Sequence, residues 1–362
     1  MSGRKTPSSK GAAAEGKPVS LRTLAESLAL SPATISLVLN DAPAARGIPA
    51  STRQRIVEEA QRLNYRPNFF ARSLRRRHSL TIGILVPEIS EGYTALVLRG
   101  VEEFLLQSGY FYVVASHHHR VDLISEYTEL LLGRSVDGFI LIDTHSSHLL
   151  PAPAVNVSGH QKVRGITNIV VDHRRAAAAA LEHLTELGHR RIAIIRGQAF
   201  SSDSEVRWKA IRCESARLGL RLEPSLVVQL KGEDPSPELG YRTTRTLLSR
   251  GRDFTALFAF NDISAIGAVR ALREHGLRVP DEVSVVGFDD IQSAAYQTPA
   301  LTTVRQPLRR MGEIAAEVLL NRIEHPQLRS PREIKVAPEL VVRESTKEVV
   351  QSGELVGAND GY

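Results

Sequence analysis

Polar side chains stand just beyond several short apolar runs in the C-terminal three quarters of this chain. They are Tyr93 after residues 82–86, Ser158 after residues 155–157, Asn261 after residues 256–260 and Asp289 after residues 283–288. In a parallel α/β sheet, ligands bind outside the carboxyl ends of the strands. Hydroxyl, amide and carboxylate groups gathered there suit a small polar molecule. Asn261 and Asp289 have a second interpretation, because either can cap the helix that follows.

The sequence offers little for catalysis or metal binding. His117, His118 and His119 are consecutive, so on an extended segment they point to alternate sides, and no acid or cysteine lies near at ligand spacing. The single cysteine, Cys213, excludes an intrachain disulfide and a multi-cysteine zinc site. No dinucleotide-binding glycine motif, phosphate loop or nucleophile elbow is present. We therefore expect a protein that is not an enzyme and has neither a metal nor a cofactor.

Positive charge is concentrated at the N-terminus. Residues 1–78 contain 14 Lys and Arg against 5 Asp and Glu, a balance of +9, whereas the whole chain carries +6, which leaves −3 for the rest. A basic head on a slightly acidic body favours binding to a polyanion through counterion release. A merely solvated basic tail is the simpler alternative.

The same basic region has the pattern of a small helical domain. Ser20 can cap a first helix, and Ser31 followed by Pro32 is a strong start signal for a second. A third helix is predicted from about Ser51 to Leu63. Short apolar strands then alternate with amphipathic helices from Leu80 onward, which indicates parallel sheets covered on both faces.

The predicted fold is a small all-α helix-turn-helix headpiece joined to an α/β core of two doubly wound parallel-sheet lobes. Its predicted divisions are a flexible basic lead (1–17), the helix-turn-helix domain (18–66), a hinge helix or linker (67–78), the two-lobed core (79–345) and a disordered tail (346–362). The start of the sequence lacks an apolar signal segment and no stretch is apolar enough to span a membrane. We therefore expect a cytoplasmic, nucleoid-associated bacterial protein without membrane contact.

Several segments resemble one family in their order along the chain. They are residues 19–25, 30–36, 38–40, 63–68 and 71–74 in the N-terminal part, and residues 187–193, 283–290 and 301–307 in the core. Together they are similar to the lactose/galactose-repressor (LacI/GalR) family over about residues 18–345. The resemblance implies a core like that of periplasmic sugar-binding proteins, a hinge helix that folds on operator DNA, and a homodimer on a palindromic double-stranded operator.

The resemblance also implies which residues contact DNA. Pro32, Ala33 and Leu37 occupy base-reading positions at the start of the recognition helix, where Ser31 is the cap. Phosphate-contacting positions correspond to Ser20, Leu21, Thr34, Ser36 and Asn40. The end of the headpiece and the hinge add Tyr65, Asn68, Ala71, Leu74 and Arg75. Leu74 resembles the leucine that wedges into a minor-groove step, and an ordinary buried leucine is the alternative.

Three departures from the family pattern bear on DNA binding. Ala29 stands where a turn glycine is usual, so a left-handed backbone there costs about 1 kcal/mol. The loop at residues 41–49 is longer than in the lactose repressor. Leu37 replaces the usual arginine and can offer only apolar contact, for instance to a thymine methyl group. The operator core should therefore differ from the common one.

Five residues match effector-binding positions of the family: Tyr93, Ser158, Arg207, Asn261 and Asp289. Arginine and aspartate across a cleft suit a sugar or another polyol, whose hydroxyls donate and accept. The resemblance predicts a transcriptional regulator, most simply a repressor, whose operator binding is controlled by such an effector acting as inducer or corepressor. The alternative is a transport-type sugar-binding protein, which would carry a signal peptide and lack the basic headpiece.

Overall fold

The computed structural model describes residues 19–40, 42–65, 78–89, 92–144, 150–233 and 236–349. The chain divides into two compact units, Met1–Ser79 and Leu80–Tyr362. The predicted basic lead and nearly all of the predicted hinge, including Asn68, Ala71, Leu74 and Arg75, lie outside the described residues. No helix within the described ranges is long and apolar enough to cross a membrane.

The described part of the first unit contains three α-helices: α1 Leu21–Leu28, α2 Pro32–Leu39 and α3 Ala50–Arg62. The predicted caps start the first two, because Ser20 accepts a hydrogen bond from the Thr23 amide and Ser31 accepts one from the Thr34 amide, each at 3.1 Å. One 3₁₀ helix, Pro43–Gly47, lies in the loop that is longer than usual. The three α-helices enclose a small apolar core of Leu24, Ala25, Ile35, Ile56 and Ala60.

Ala29 adopts the left-handed backbone that its position was predicted to require, with φ 53° and ψ 40°. Its amide donates to the carbonyls at the end of α1, so the turn between α1 and α2 depends on this conformation. A side chain with a Cβ atom pays about 1 kcal/mol there, whereas glycine does not.

We expect Ala29→Gly to raise the free energy of unfolding of the headpiece by about 0.5–1 kcal/mol, because the left-handed strain disappears at some cost in unfolded-state entropy. Ala25→Gly, in the interior of α1, is the control and should destabilise by about 1–2 kcal/mol, because it loses helix propensity and a buried methyl group. Thermal unfolding of the two variants measures both. A loss of stability in Ala29→Gly would contradict the strain.

The second unit is built of two lobes, each around a six-stranded sheet. The first sheet has the strand order β11-β5-β4-β3-β1-β2. Its strands are β1 Thr81–Val86, β2 Phe111–Ser116, β3 Gly138–Ile142, β4 Ala154–Val157, β5 Ile166–Val171 and β11 Glu333–Val336. Its helices are α4 Gly92–Gln107, α5 Val121–Gly133 and α11 Leu308–Glu324. We call this part the N-lobe.

The second sheet has the order β12-β10-β9-β8-β6-β7 and forms the C-lobe. Its strands are β6 Ile192–Arg196, β7 Val227–Gln229, β8 Ala256–Phe258, β9 Ser284–Asp289, β10 Thr302–Arg305 and β12 Glu339–Val341. Its helices are α6 His173–Glu186, α7 Ser202–Arg217, α8 Pro237–Leu248, α9 Asp262–Glu274 and the short α10 Gln292–Ala295. The chain passes between the lobes three times, at residue 172, residues 306–307 and residues 337–338.

Each lobe contains a pair of helices that touch backbone to backbone through glycines. A Cβ atom on Gly100 of α4 would lie 1.9 Å from the Arg309 carbonyl oxygen of α11, and one on Gly312 would lie 2.1 Å from the Val97 oxygen. The C-lobe repeats this arrangement in α8 and α9 through Gly240 and Gly267. Because glycine has no side chain, the paired helices can pack this closely.

The structure corrects the sequence-based boundaries in three places. Strands β10 to β12 were not predicted, and β12 pairs with β10 antiparallel, so the C-lobe sheet is not wholly parallel. The strand predicted at residues 256–260 ends at Phe258, where the chain turns toward the start of α9. The predicted disordered tail begins too early: Lys347 donates its amide to Ser284 Oγ at 3.0 Å and Val349 to the Leu187 carbonyl at 2.9 Å. Residues 350–362 lie outside the described residues.

Candidate functional site

A cleft within the second unit lies at the carboxyl ends of strands from both sheets. It encloses about 800 Å³, part of it open to solvent. The N-lobe contributes Pro87, Glu88, Tyr93, Thr94, His119 and Asp143 to its described lining. The C-lobe contributes more of the wall, mainly from the segment before α7, from α7 itself and from the ends of β8 and β9. Four of the five predicted effector residues line it: Tyr93, Arg207, Asn261 and Asp289.

Arg207 is the central cation of the cleft. It lies on α7 and is only 3% exposed. Its Nη2 donates to Asp203 Oδ2 at 3.1 Å and its Nη1 donates to the Phe260 carbonyl. Its guanidinium carbon lies 3.6 Å from the ring centre of Phe288 and 4.4 Å from that of Phe260. The Nε atom is buried and has no hydrogen-bond partner among the described residues, so one donor of this guanidinium is unused.

Asp289 is the last residue of β9 and has a φ of 114°, a strained value for a residue with a side chain. Its Oδ1 accepts a 2.6 Å hydrogen bond from Gln306 Nε2. Burial raises the pKa of Asp289 well above its ordinary value, although Arg207 acts in the opposite direction. The residue that precedes the next helix is Ile291, so Asp289 does not cap it. The geometry therefore favours a ligand-facing role for Asp289 over a capping role.

Asn261 both caps a helix and lines the cleft, the two roles considered for it from the sequence. Its Oδ1 accepts from the Ser264 amide at 2.9 Å, and Ser264 Oγ in turn accepts from the Asn261 amide, a complete capping box for α9. It also lines the cleft. Because Oδ1 is engaged by the helix, the side-chain amide nitrogen is the group that remains for a ligand.

Tyr93 and Ser158 form one unit. The Tyr93 hydroxyl and Ser158 Oγ are 2.5 Å apart, and Ser158 is 1% exposed, behind the cleft rather than in its lining. Burial raises the pKa of Tyr93 well above its ordinary value, with Asp203 and Asp143 adding to the effect. Ser158 therefore positions Tyr93 rather than facing a ligand directly.

The first turn of α7 joins the two lobes. Ser202 Oγ donates to Asp143 Oδ1 at 2.9 Å and contacts the Ser158 carbonyl oxygen, both in the N-lobe. Next to it, Asp203 is 2.6 Å from His160 Nε2, also in the N-lobe, and 3.2 Å from His173 Nε2. Burial alone would raise the pKa of Asp203, but His173, His160 and Arg207 lower it well below the ordinary value, so this carboxylate is ionised.

Asp203, His160 and His173 were not predicted from the sequence. One signal was available, since Asp203 precedes Arg207 by four residues and therefore shares its helix face. No comparable signal existed for the two histidines, which lie in separate segments before α7.

The described lining of the cleft is acidic. It contains Glu88, Asp143, Asp203, Glu233 and Asp289 against the single arginine, Arg207. Burial and the neighbouring Asp203 raise the pKa of Asp143 to about 7. The raised pKa values of Asp143 and Asp289 remove part of the negative charge, but Glu88, Asp203 and Glu233 still outnumber Arg207. The lining therefore disfavours an anionic ligand and tolerates a neutral or cationic one.

Asp262, at the start of α9, is a further buried acid outside this lining. It is fully buried, and its carboxylate accepts from Thr303 Oγ1 at 2.6 Å and from the Ile291 amide at 2.9 Å. Burial outweighs these bonds and raises its pKa from 3.8 to about 7. Between these two values the folded state keeps a proton that the unfolded state has lost, so stability falls as the pH rises from about 4 to about 7.

We expect Asp262→Asn to flatten this dependence. The raised pKa corresponds to a penalty of about 4 kcal/mol that is complete above pH 7 in the wild type and absent from the variant. Denaturant unfolding at pH 4.5 and pH 8 measures the difference between the two proteins. Asp281→Asn, which changes an acid paired with Lys347 at the surface, is the control and should shift the dependence by less than about 0.5 kcal/mol. An unchanged slope in Asp262→Asn would contradict the burial argument.

The recognition helix predicted from the sequence is α2. Ser31, Pro32 and Ala33 are exposed at its start and Leu37 is partly exposed, whereas Ile35 points into the headpiece core. Several predicted phosphate-contacting side chains bond locally instead: Asn40 Nδ2 donates to the Ser36 carbonyl at 2.7 Å, and Thr34 pairs with Ser31. Leu21 and Tyr65 pack against the headpiece core, so from Leu21 the backbone is the group available to a phosphate.

Comparison with known proteins decides the family. The chain is 30% identical over 341 residues to the HTH-type transcriptional repressor PurR of Haemophilus influenzae, covering 91% of this chain and 99% of that one. The chain belongs to the LacI/GalR family. A profile of the periplasmic binding protein-like domain matches residues 181–346.

Two solved structures extend the comparison to the LacI/GalR fold. The lac repressor dimer bound to operator and the anti-inducer ONPF matches with a TM-score of 0.82 and 27% identity, covering 91% of this chain and all of that one. The transcriptional regulator CelR in complex with cellobiose matches with a TM-score of 0.67 and 28% identity over 90% of this chain and 99% of that one. As a LacI/GalR member, the chain is a DNA-binding transcriptional repressor controlled by a small molecule, and its relatives are repressors rather than enzymes.

Proposed function

We propose that this repressor acts in the bacterial cytoplasm as a homodimer that binds a palindromic operator through α2, under the control of a neutral, sugar-like polyol. The observation that carries the proposal is the cleft, where Arg207 and Asp289 face one space with an otherwise acidic lining. Hydroxyl groups can accept from the Arg207 guanidinium and donate to carboxylates. A sugar phosphate or another anion would meet the acidic field.

The relatives support the dimer and the operator. One solved relative is a dimer on its operator and another holds cellobiose. A dimer with two-fold symmetry requires a site with the same symmetry. Exposed Pro32 and Ala33 and partly exposed Leu37 are the residues we assign to base reading, with Leu74 as the wedge in the hinge.

The proposal is tested by mixing the purified protein with sheared DNA from its own genome and sequencing the bound fragments. We expect a shared palindrome, and we expect Leu37→Arg to change the preferred bases toward guanine, since arginine can make two hydrogen bonds worth about 1–3 kcal/mol. Leu37→Met is the matched control and should keep the wild-type palindrome. No enrichment, with cell metabolites added to supply a corepressor, would overturn the DNA-binding assignment.

The effector class is tested separately on the protein–operator complex. Neutral sugars and their phosphate esters are compared at equal concentration for a shift in thermal unfolding and for a change in operator affinity. We expect responses only among the neutral compounds. A response confined to the phosphates would overturn the argument from the acidic cleft and leave the DNA-binding assignment intact.

A further inference from the structure

Three side chains with metal-ligating atoms meet beneath the cleft. Nε2 of His160 lies 2.6 Å from Asp203 Oδ1, and Nε2 of His173 lies 3.2 Å from the same oxygen. One ligand atom from each residue lies within 4.8 Å of the other two. Bonds of about 2.0–2.1 Å to a tetrahedral ion place ligand atoms about 3.3 Å apart. The cluster therefore needs only small side-chain adjustments to surround an ion.

The donor set matches one class of metal. Two imidazoles and one carboxylate are ligands of divalent transition metals, above all Zn²⁺, whereas Ca²⁺ and Mg²⁺ prefer oxygen alone. Three protein ligands leave a fourth position for water or for an oxygen of a molecule in the cleft, since Asp203 also lines that space.

The surroundings support the donor set. The second oxygen of Asp203 is held by Arg207 at 3.1 Å, so the carboxylate is oriented as ligating carboxylates usually are. Nε2 of His160 and of His173 donates to the Asp203 carboxylate, and an ion would take the place of these two protons. Nδ1 of His173 has no hydrogen-bond partner among the described residues, so it can carry the ring proton once Nε2 binds the ion. Asp143, which bonds Ser202 next to Asp203, forms no ion pair with a lysine or arginine in the described ranges. A divalent ion would supply positive charge close to it.

The three residues come from three segments on both sides of the cleft. His160 lies in the loop after β4 of the N-lobe, His173 begins α6 directly after the first passage between the lobes, and Asp203 lies in the first turn of α7 in the C-lobe. An ion held by all three would fasten the lobes together.

We propose that His160, His173 and Asp203 bind one divalent transition-metal ion of the zinc type, which fastens the loop after β4 to the first turn of α7. This site is distinct from the histidine triplet at residues 117–119. In the triplet, His117 Nε2 lies 2.8 Å from Thr144 Oγ1 and the His119 ring packs on Phe200. The proposal does not depend on the effector or on the operator.

The test uses the full chain, freed of metal with a chelator and titrated with Zn²⁺ by calorimetry and with Co²⁺ by visible absorption. We expect one ion per chain and a Co²⁺ spectrum typical of tetrahedral coordination. Zn²⁺ should also raise the unfolding temperature, because it binds the folded state. Zinc-edge X-ray absorption on the unaltered protein should show two imidazole ligands and so needs no variant.

The variants locate the ion. The side chain of His160 is partly exposed, so His160→Ala is a mild change for the fold. Loss of a residue that only hydrogen-bonds to a metal ligand weakens metal binding roughly 10- to 100-fold. Loss of a ligand itself should weaken Zn²⁺ binding by more than this and should abolish the thermal shift. His118→Ala in the triplet is the matched control and should change neither. Far-UV circular dichroism of both variants checks that they fold. Absence of stoichiometric binding in the wild type, or undiminished binding in His160→Ala, would overturn the site.

Discussion

Arg207→Ala is expected to lower the free energy of unfolding of the α/β core by about 3–5 kcal/mol. Arg207 is buried against Asp203, and its removal leaves an ionised carboxylate with less compensation. It also empties the space between the Phe260 and Phe288 rings. Denaturant unfolding followed by the core's secondary structure measures the loss.

Arg196→Ala is the matched control for this result. Arg196 also lies over an aromatic ring, at 4.8 Å from the Trp208 centre, and also pairs with a carboxylate, Glu205 at 3.1 Å. Its carboxylate is 58% exposed, whereas that of Asp203 is 8% exposed. We expect a loss of about 1 kcal/mol or less in the control. Equal losses in the two variants would show that burial of Asp203 does not decide the cost.

Gly312→Ala is expected to cost about 3 kcal/mol or more, at the upper end of overpacking. The added methyl group would meet the Val97 carbonyl oxygen at 2.1 Å, so α4 and α11 must separate. A flexible side chain could turn aside, but a backbone carbonyl inside a helix cannot.

Gly133→Ala is the control for this second result. Gly133 is the last residue of α5, and a Cβ atom there meets nothing within 4 Å. Alanine should be neutral or slightly stabilising at this position. Thermal unfolding of both variants gives the comparison. A wild-type unfolding temperature for Gly312→Ala would contradict the tight helix crossing.

Much of the fold followed from local pattern. The Ser31-Pro32 signal started α2 at the residue expected, and the apolar run at residues 82–86 became β1, which begins one residue earlier. β11 could not be found in this way. It is an edge strand in which Glu333 and Lys335 are exposed, so it lacks an apolar run, and its partner β5 lies more than 160 residues earlier.

Only part of the cleft could be predicted from the sequence, for a similar reason. Residues at strand ends, such as Asp289 and Asn261, were found from their position after apolar runs, and Arg207 was found by resemblance. His160 and His173 were missed because their proximity to Asp203 arises only when three separate segments fold together. The base-reading roles of Pro32, Ala33 and Leu37 stay predictions.

The three passages between the lobes have a consequence for synthesis on the ribosome. The N-lobe begins at β1 but includes α11 and β11, so its sheet is complete only when residue 336 has been made. The C-lobe sheet includes β12 and is complete only at residue 341. The headpiece, in contrast, has its whole apolar core by residue 60. A nascent chain therefore presents a finished DNA-binding unit long before the part that controls it. A message truncated upstream of β11 would yield a headpiece attached to two open sheet edges, a product prone to aggregation and degradation.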